Sequence, residues 1–223
     1  MPHMLLALTG QKGGTGKSTV AIAVAAELAF RGRKVLIADA DPQASIRTWA
    51  AVAAEAGHDC PTVVGVGADM WKPTQLPTLA KNFEDVVIDC PPRLDKVTRA
   101  ALMFAEVVLL PCGPAAVEAW ALAESVELIK EAQSFREQRG LPTLQAAVLI
   151  TRKIARTTIG QGAREVLSST GMPVLESELA MRVAYQEAPA AGLGIAQYAP
   201  NDPAADEVRH LVAELLALTS RKT

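Results

Sequence analysis

The sequence predicts a doubly wound α/β domain, with a mostly parallel sheet flanked by helices, and three observations carry that prediction. Short apolar runs rich in valine, leucine and isoleucine alternate along the chain with longer helical patterns. This is the order from which parallel sheets are built. The first run, residues 5–8, passes through a glycine-rich turn directly into an alanine-rich helical pattern. Two later runs end in aspartate, at Asp39 and Asp89, with a proline following closely enough to stop the strand. In such sheets, ligands bind at the carboxyl ends of the strands.

Composition fits one domain spanning residues 1–223. Half of the 223 residues are hydrophobic and few are aromatic, which suits parallel strands buried on both faces. A net charge of −2 does not mark the whole chain as a nucleic-acid binder, though it leaves room for a basic face. No run reaches the roughly 20 apolar residues of a membrane span, and the opening residues lack the pattern of a signal peptide. Cys60, Cys90 and Cys112 are odd in number and form no CxxC pair, so they read as reduced thiols of a cytoplasmic protein.

The turn at residues 10–19 reads Gly-Gln-Lys-Gly-Gly-Thr-Gly-Lys-Ser-Thr. Successive backbone N–H groups in such a turn converge on one point, and the positive end of the next helix adds to them. A di- or triphosphate fits that geometry, and the cradle is Gly13, Gly14, Thr15, Gly16, Lys17, Ser18 and Thr19. Lys17 reaches the β and γ oxygens, and the Ser18 hydroxyl sits on bound magnesium. The strict phosphate-loop pattern wants glycine where Gln11 stands, whereas the variant Lys-Gly-Gly-x-Gly-Lys-Ser/Thr fits at every position.

That variant, starting at Gln11 and Lys12, resembles the deviant Walker A motif of ParA/MinD-superfamily ATPases. The resemblance implies that Lys12 reaches across a dimer interface to the partner's nucleotide. A second cation supplied in this way makes dimerisation depend on ATP. The string Asp39-Ala40-Asp41-Pro42-Gln43 matches the family's second signature. By that resemblance Asp41 positions the attacking water, and Asp39 helps organise magnesium through water.

Taken in order, the first strand starts at Met4, and the helical pattern after the turn covers residues 20–30 and stops at Gly32. Residues 34–38 form a buried strand and residues 44–56 a helix, with Trp49 on its packed face. A short strand at 62–66 leads into a loop-like segment at 67–77. The β-branched run ending at Asp89 has the form of a Walker B strand, whose carboxylate holds magnesium through water. Asp85, at the other end of that strand, has a structural role. Pro91 and Pro92 break the ladder and suit a segment sensitive to the γ-phosphate.

Residues 95–105 read as a helix, 106–111 as a buried strand, 117–139 as one long helix, and 144–151 as another strand. Arg152, Lys153, Arg156 and Arg164 gather around that strand's end and the next helix. On residue type alone they make a solvated basic turn or a contact for DNA phosphates. A short strand at 171–175 and a helix at 182–188 follow. Residues 203–219 form a last helix, whose stripe of Val208, Leu211, Val212, Leu215 and Leu216 packs against the sheet rather than on a membrane.

The string Leu-Ile-Thr-Arg-Lys-Ile at 149–154 resembles the small partition ATPases of the ParF kind, which lack an N-terminal helix-turn-helix domain. That resemblance implies a homodimer closed by ATP and Mg2+, sequence-independent DNA binding, and slow hydrolysis stimulated by a ParB-like or ParG-like adaptor. It implies a cytoplasmic, nucleoid-associated protein with no stable membrane binding. Two rivals share the superfamily: a dethiobiotin-synthetase-like ligase and a MinD-like regulator recruited to membranes.

Overall fold

The computed structural model describes residues 4–93, 95–154 and 157–220. Its frame is seven strands: β1 (Met4–Leu8), β2 (Val35–Asp39), β3 (Thr62–Gly65), β4 (Asp85–Asp89), β5 (Val107–Cys112), β6 (Gln145–Lys153) and β7 (Val174–Ala180). They form one sheet in the order β3-β2-β4-β1-β5-β6-β7, and every pairing is parallel. The predicted doubly wound fold is therefore present. Ten helices connect and cover the described strands: α1 (Lys17–Phe30), α2 (Ser45–Glu55), α3 (Leu76–Ala80), α4 (Lys96–Phe104), α5 (Ala116–Trp120), α6 (Leu122–Gln138), α7 (Thr158–Ser168), α8 (Ala184–Ala190), α9 (Ile195–Tyr198) and α10 (Pro203–Ser220).

Alternation along the central strands divides the core in two. Leu6, Leu8, Ile37, Val87 and Leu109 face one side, with residues of α1, α8, α9 and α10. Ala7, Leu36, Ile88, Val108 and Leu110 face the other, with residues of α4, α6 and α7. Both faces are buried, which is why the strands read as unbroken apolar runs rather than as alternating ones. Helix α1 is buried almost all round between the sheet and the outer helices, and its small alanines allow that close approach. The apolar stripe of α10 is taken up by this packing: Val208, Leu211, Val212 and Leu215 are all buried. Burial of these four side chains is worth on the order of 6–10 kcal/mol as an upper bound. Trp49 is also in the core, with its indole N–H donated to the Leu193 carbonyl at 3.3 Å.

Asp85 is fully buried at the amino end of β4, where the Arg33 guanidinium grips both oxygens at 2.5 and 2.9 Å. The site at the opposite end is set by register. Asp39 of β2 and Leu8 of β1 both pair with Asp89 of β4, so the strand ends lie at one level.

Beyond shifts of one to three residues at element ends, four features depart from the sequence reading. The loop-like segment at 67–77 gives way to α3, whose first turn holds Pro77. The single helix expected over 117–139 is divided at Ala121 into α5 and α6. The last strand lies later than 171–175, because β7 is an edge strand whose Glu176 and Glu178 interrupt the apolar run. Helix α9 was not foreseen, and four residues leave little periodicity to read.

Candidate nucleotide-binding site

The glycine turn leaves β1 and ends at Gly16, the residue that caps α1. Gly14 (φ 74°) and Gly16 (φ 94°) take left-handed backbone conformations that a Cβ would strain. Gly16 offers no side-chain cap to the first N–H groups of α1, so those donors stay open toward the turn. A cavity of about 630 Å³ opens there, lined by Gly13, Gly16, Lys17, Ser18, Asp41 and Gln43 among others.

Lys17 is only 6% exposed, and its ammonium folds back to donate to the Lys12 carbonyl at 3.0 Å. Burial pushes its pKa down, and the Asp89 and Asp41 carboxylates oppose that shift. A buried ammonium facing an open cradle of N–H groups is suited to a polyanion. The Ser18 hydroxyl donates to Asp89 Oδ2 at 2.6 Å, while Asp89 Oδ1 is buried with no hydrogen-bond partner. Burial, together with the charges of Asp39 and Asp41, pushes the Asp89 carboxyl up to about 7 against the hydrogen bond from Ser18. One hydroxyl and one carboxylate with an orphaned oxygen, beside a phosphate cradle, are the hard oxygen donors that Mg2+ takes. The residues fit that ion.

Asp41 stands in the loop between β2 and α2, almost buried. Its Oδ1 accepts the Gln43 N–H at 2.9 Å. Asp39 is fully enclosed, and its oxygens accept from the loop and from the first turn of α2. Oδ1 takes the Asp41 N–H at 3.1 Å, and Oδ2 takes the Arg47 N–H and Nε at 3.2 and 3.1 Å.

Lys12 lies at the rim rather than in the cradle. Its side chain is 45% exposed, with Nζ 3.7 Å from Glu118 on α5. Glu118 also accepts Arg152 Nη2 on both oxygens at 2.8 Å and the Gly113 N–H at 2.7 Å. Next to Lys12, Gln11 donates to Glu124 of α6 at 2.6 Å. A second cavity of about 230 Å³ lies on the other flank of the loop, between Gly14, Thr151, Arg152, Leu179, Arg182 and Gln186. There the Thr151 hydroxyl donates to the Thr15 carbonyl at 2.9 Å, tying β6 to the loop.

The three basic residues among those described, Arg152, Lys153 and Arg164, do not form one open patch. Arg152 turns to Glu118, whereas Lys153 and Arg164 share Glu178. Arg164 also approaches Glu176 at 3.6 Å. Arg156 lies outside the described residues. Arg152 takes a left-handed backbone (φ 53°) where the register between β6 and β7 shifts, and it and Lys153 meet acids on different elements, Glu118 of α5 and Glu178 of β7. Arg47, Glu118 and Thr151 were not singled out from sequence. Their partners are distant in the chain or on other elements, and no local spacing marks them.

Comparison with known proteins bears on this arrangement. A family model, the CobQ/CobB/MinD/ParA nucleotide binding domain, matches residues 6–195. The chain is 31% identical to the maintenance of carboxysome distribution protein A of Halothiobacillus neapolitanus, with 95% of each chain covered. It is also 31% identical to the chromosome-partitioning ATPase Soj of Thermus thermophilus, again over 95% of each. Among solved structures, an ATP complex of a Cyanothece McdA variant superposes with a TM-score of 0.75. That match has 17% identity and covers 97% of this chain and 98% of the other, so it speaks for the fold.

Proposed function

The chain belongs to the CobQ/CobB/MinD/ParA nucleotide-binding family, and from that premise we propose that it is an ATP-driven positioning ATPase whose ATP-bound dimer holds DNA. The nucleotide's phosphates lie in the cradle of residues 13–19, with Lys17 as their buried cation. Ser18 and, through water, Asp89 would hold Mg2+, which would neutralise phosphate charge at the γ-phosphate. The negative field of Asp39 adds to that site. The base occupies the flank of the loop beside Thr151, in the 230 Å³ cavity. Asp41 orients the attacking water, and phosphoryl transfer asks little more of the protein than such positioning.

The observation that carries this reading is the contrast between the two lysines. Lys17 is buried inside the cradle, while Lys12 is half-exposed at its rim, its ammonium held at 3.7 Å by Glu118, where a phosphate arriving from outside can take it over. An enzyme acting on a small molecule within one chain has no need of a cation held outward. Dimerisation brings two copies of Arg152, Lys153, Arg156 and Arg164 onto one assembly, and where phosphates displace Glu118 and Glu178 from Arg152, Lys153 and Arg164 it doubles the phosphates met without any preference for base sequence. An adaptor of the ParB or ParG type stimulates hydrolysis and links the ATPase to its cargo, whether a plasmid, a chromosome or a protein assembly.

Light scattering after size exclusion tests the role of Lys12. Wild-type protein with Mg-ATP runs as a dimer and with ADP as a monomer. Lys12→Ala binds ATP but stays monomeric. A Lys12→Ala dimer in ATP contradicts the proposal, and turnover of a small carboxylate substrate by the monomer favours the ligase rival.

A further inference from the structure

We propose that Arg47 is the positioning residue for Asp41, holding its peptide in a closed circuit of hydrogen bonds together with Asp39. The proposal rests on the reading of Asp41 as the group that orients the attacking water. The circuit has three links. The Asp41 N–H donates to Asp39 Oδ1 at 3.1 Å, Arg47 Nε donates to Asp39 Oδ2 at 3.1 Å, and Arg47 Nη2 donates to the Asp41 carbonyl at 3.3 Å. Both backbone polar groups of Asp41 are thus held by one ion pair, one from each side. The Arg47 backbone N–H reinforces the middle link at 3.2 Å.

Geometry around the circuit makes arginine the residue suited to it. Nε and Nη2 lie on one edge of a planar guanidinium and diverge toward two separate acceptors, which a single ammonium does not do. The stem and guanidinium pass over Gly65 at the end of β3, 3.6–3.7 Å from where a Cβ would stand. The loop they hold is itself fully determined. Ala44 sits in the left-handed region at φ 58° and donates its N–H to the same Asp41 carbonyl at 3.0 Å. A non-glycine residue stays in that conformation only where its surroundings enforce it. Asp39 is enclosed and anchored in the sheet opposite Asp89, so the circuit transmits the position of a rigid strand end to a loop residue.

Two functions for Arg47 can be separated. If it only offsets the enclosed charge of Asp39, any cation of similar length serves. If it places Asp41, the second donor to the Asp41 carbonyl is needed. Small displacements of a positioning group are costly, up to about a hundredfold in rate for 1 Å.

The test measures phosphate release with Mg-ATP, together with ATP affinity and melting temperature, for Arg47→Met, Arg47→Lys and Asp41→Ala. Arg47→Met lowers kcat about tenfold with KM for ATP within about twofold, because only the water-orienting group is loosened. Arg47→Lys recovers the melting temperature but less than half of the lost kcat. Wild-type kcat in Arg47→Met, or full recovery of kcat in Arg47→Lys, overturns the positioning role. Should Arg47→Met not fold, Arg47→Lys decides alone. Asp41→Ala separates this failure from a failure of the functional reading. If Asp41→Ala turns over ATP at the wild-type rate, Asp41 does not orient water and the proposal falls with that reading. If Asp41→Ala is inactive while either Arg47 result above is negative, only the positioning role falls.

Discussion

Replacing Asp89 by asparagine probes the magnesium site and the stability of the fold together. Asp89 is buried between strands, takes one hydrogen bond from Ser18 and leaves its other oxygen without a donor. Burial raises its pKa from 3.8 to about 7 in the metal-free protein. The native state therefore binds a proton that the unfolded chain has released between about pH 4 and 7, and this group makes stability fall as pH rises through that window. A shift of that size corresponds to a cost of about 4 kcal/mol once the carboxylate is charged, at about pH 8. Asparagine keeps the shape and drops the charge, but its amide has to find a partner, so roughly half of that is recovered, about 2 kcal/mol. In a chain of this size the gain is a rise in melting temperature of about 6 °C at about pH 8 and close to none at about pH 5. The metal response has the opposite sign. The wild-type protein binds Mg-ATP about tenfold more weakly one unit below the carboxyl's pKa, since the carboxylate must be charged to hold the ion through its water. Asp89→Asn loses both this pH dependence and magnesium-stimulated hydrolysis. Scanning calorimetry at three pH values reads the stability, and titration calorimetry with Mg-ATP together with phosphate release at the same pH values reads the metal response. An Asp89→Asn protein with the wild-type pH slope, or with wild-type magnesium-stimulated turnover, would refute the reasoning.

Three further outcomes follow from named contacts. Lys17→Ala removes the buried cation of the cradle and abolishes ATP binding in calorimetry; undiminished affinity rules out the phosphate-loop reading. Arg33→Met leaves the buried Asp85 carboxylate without its partner, costing about 3–5 kcal/mol and lowering the melting temperature by about 10 °C, whereas a shift of a degree or two would show that Asp85 finds another donor. Lys153→Ala removes one candidate phosphate contact per protomer and so lowers the salt slope of DNA binding by about 2 in a dimer; an unchanged slope removes Lys153 from the interface.

The phosphate cradle was legible in the sequence because it is made of backbone, and glycine at Gly14 and Gly16 is the residue that left-handed turns demand. Asp39 and Asp89 were legible for a related reason: an apolar run stopped by a nearby proline identifies the strand's carboxyl end. What escaped was chemistry set between separate elements, whether near or far in the chain. The partners of Glu118 come from the glycine loop and from β6, and Arg47 acts eight positions along the chain from Asp39. The basic cluster was read as one feature because its residues are close in sequence. The acids Glu118, on α5, and Glu178, on β7, divide its described members instead. The break at Ala121 left no trace, since neither glycine nor proline marks it.

If nucleotide state controls the hold on DNA, fluorescence anisotropy on a non-specific duplex reads that control directly. The titration is run without nucleotide, with Mg-ADP and with Mg-ATP, each at several salt concentrations. The account predicts binding in Mg-ATP alone, equal for unrelated sequences, and weakening steeply with salt, because two protomers' cations meet the phosphates together. Equal affinity in ADP and ATP, or a flat salt dependence, would contradict it.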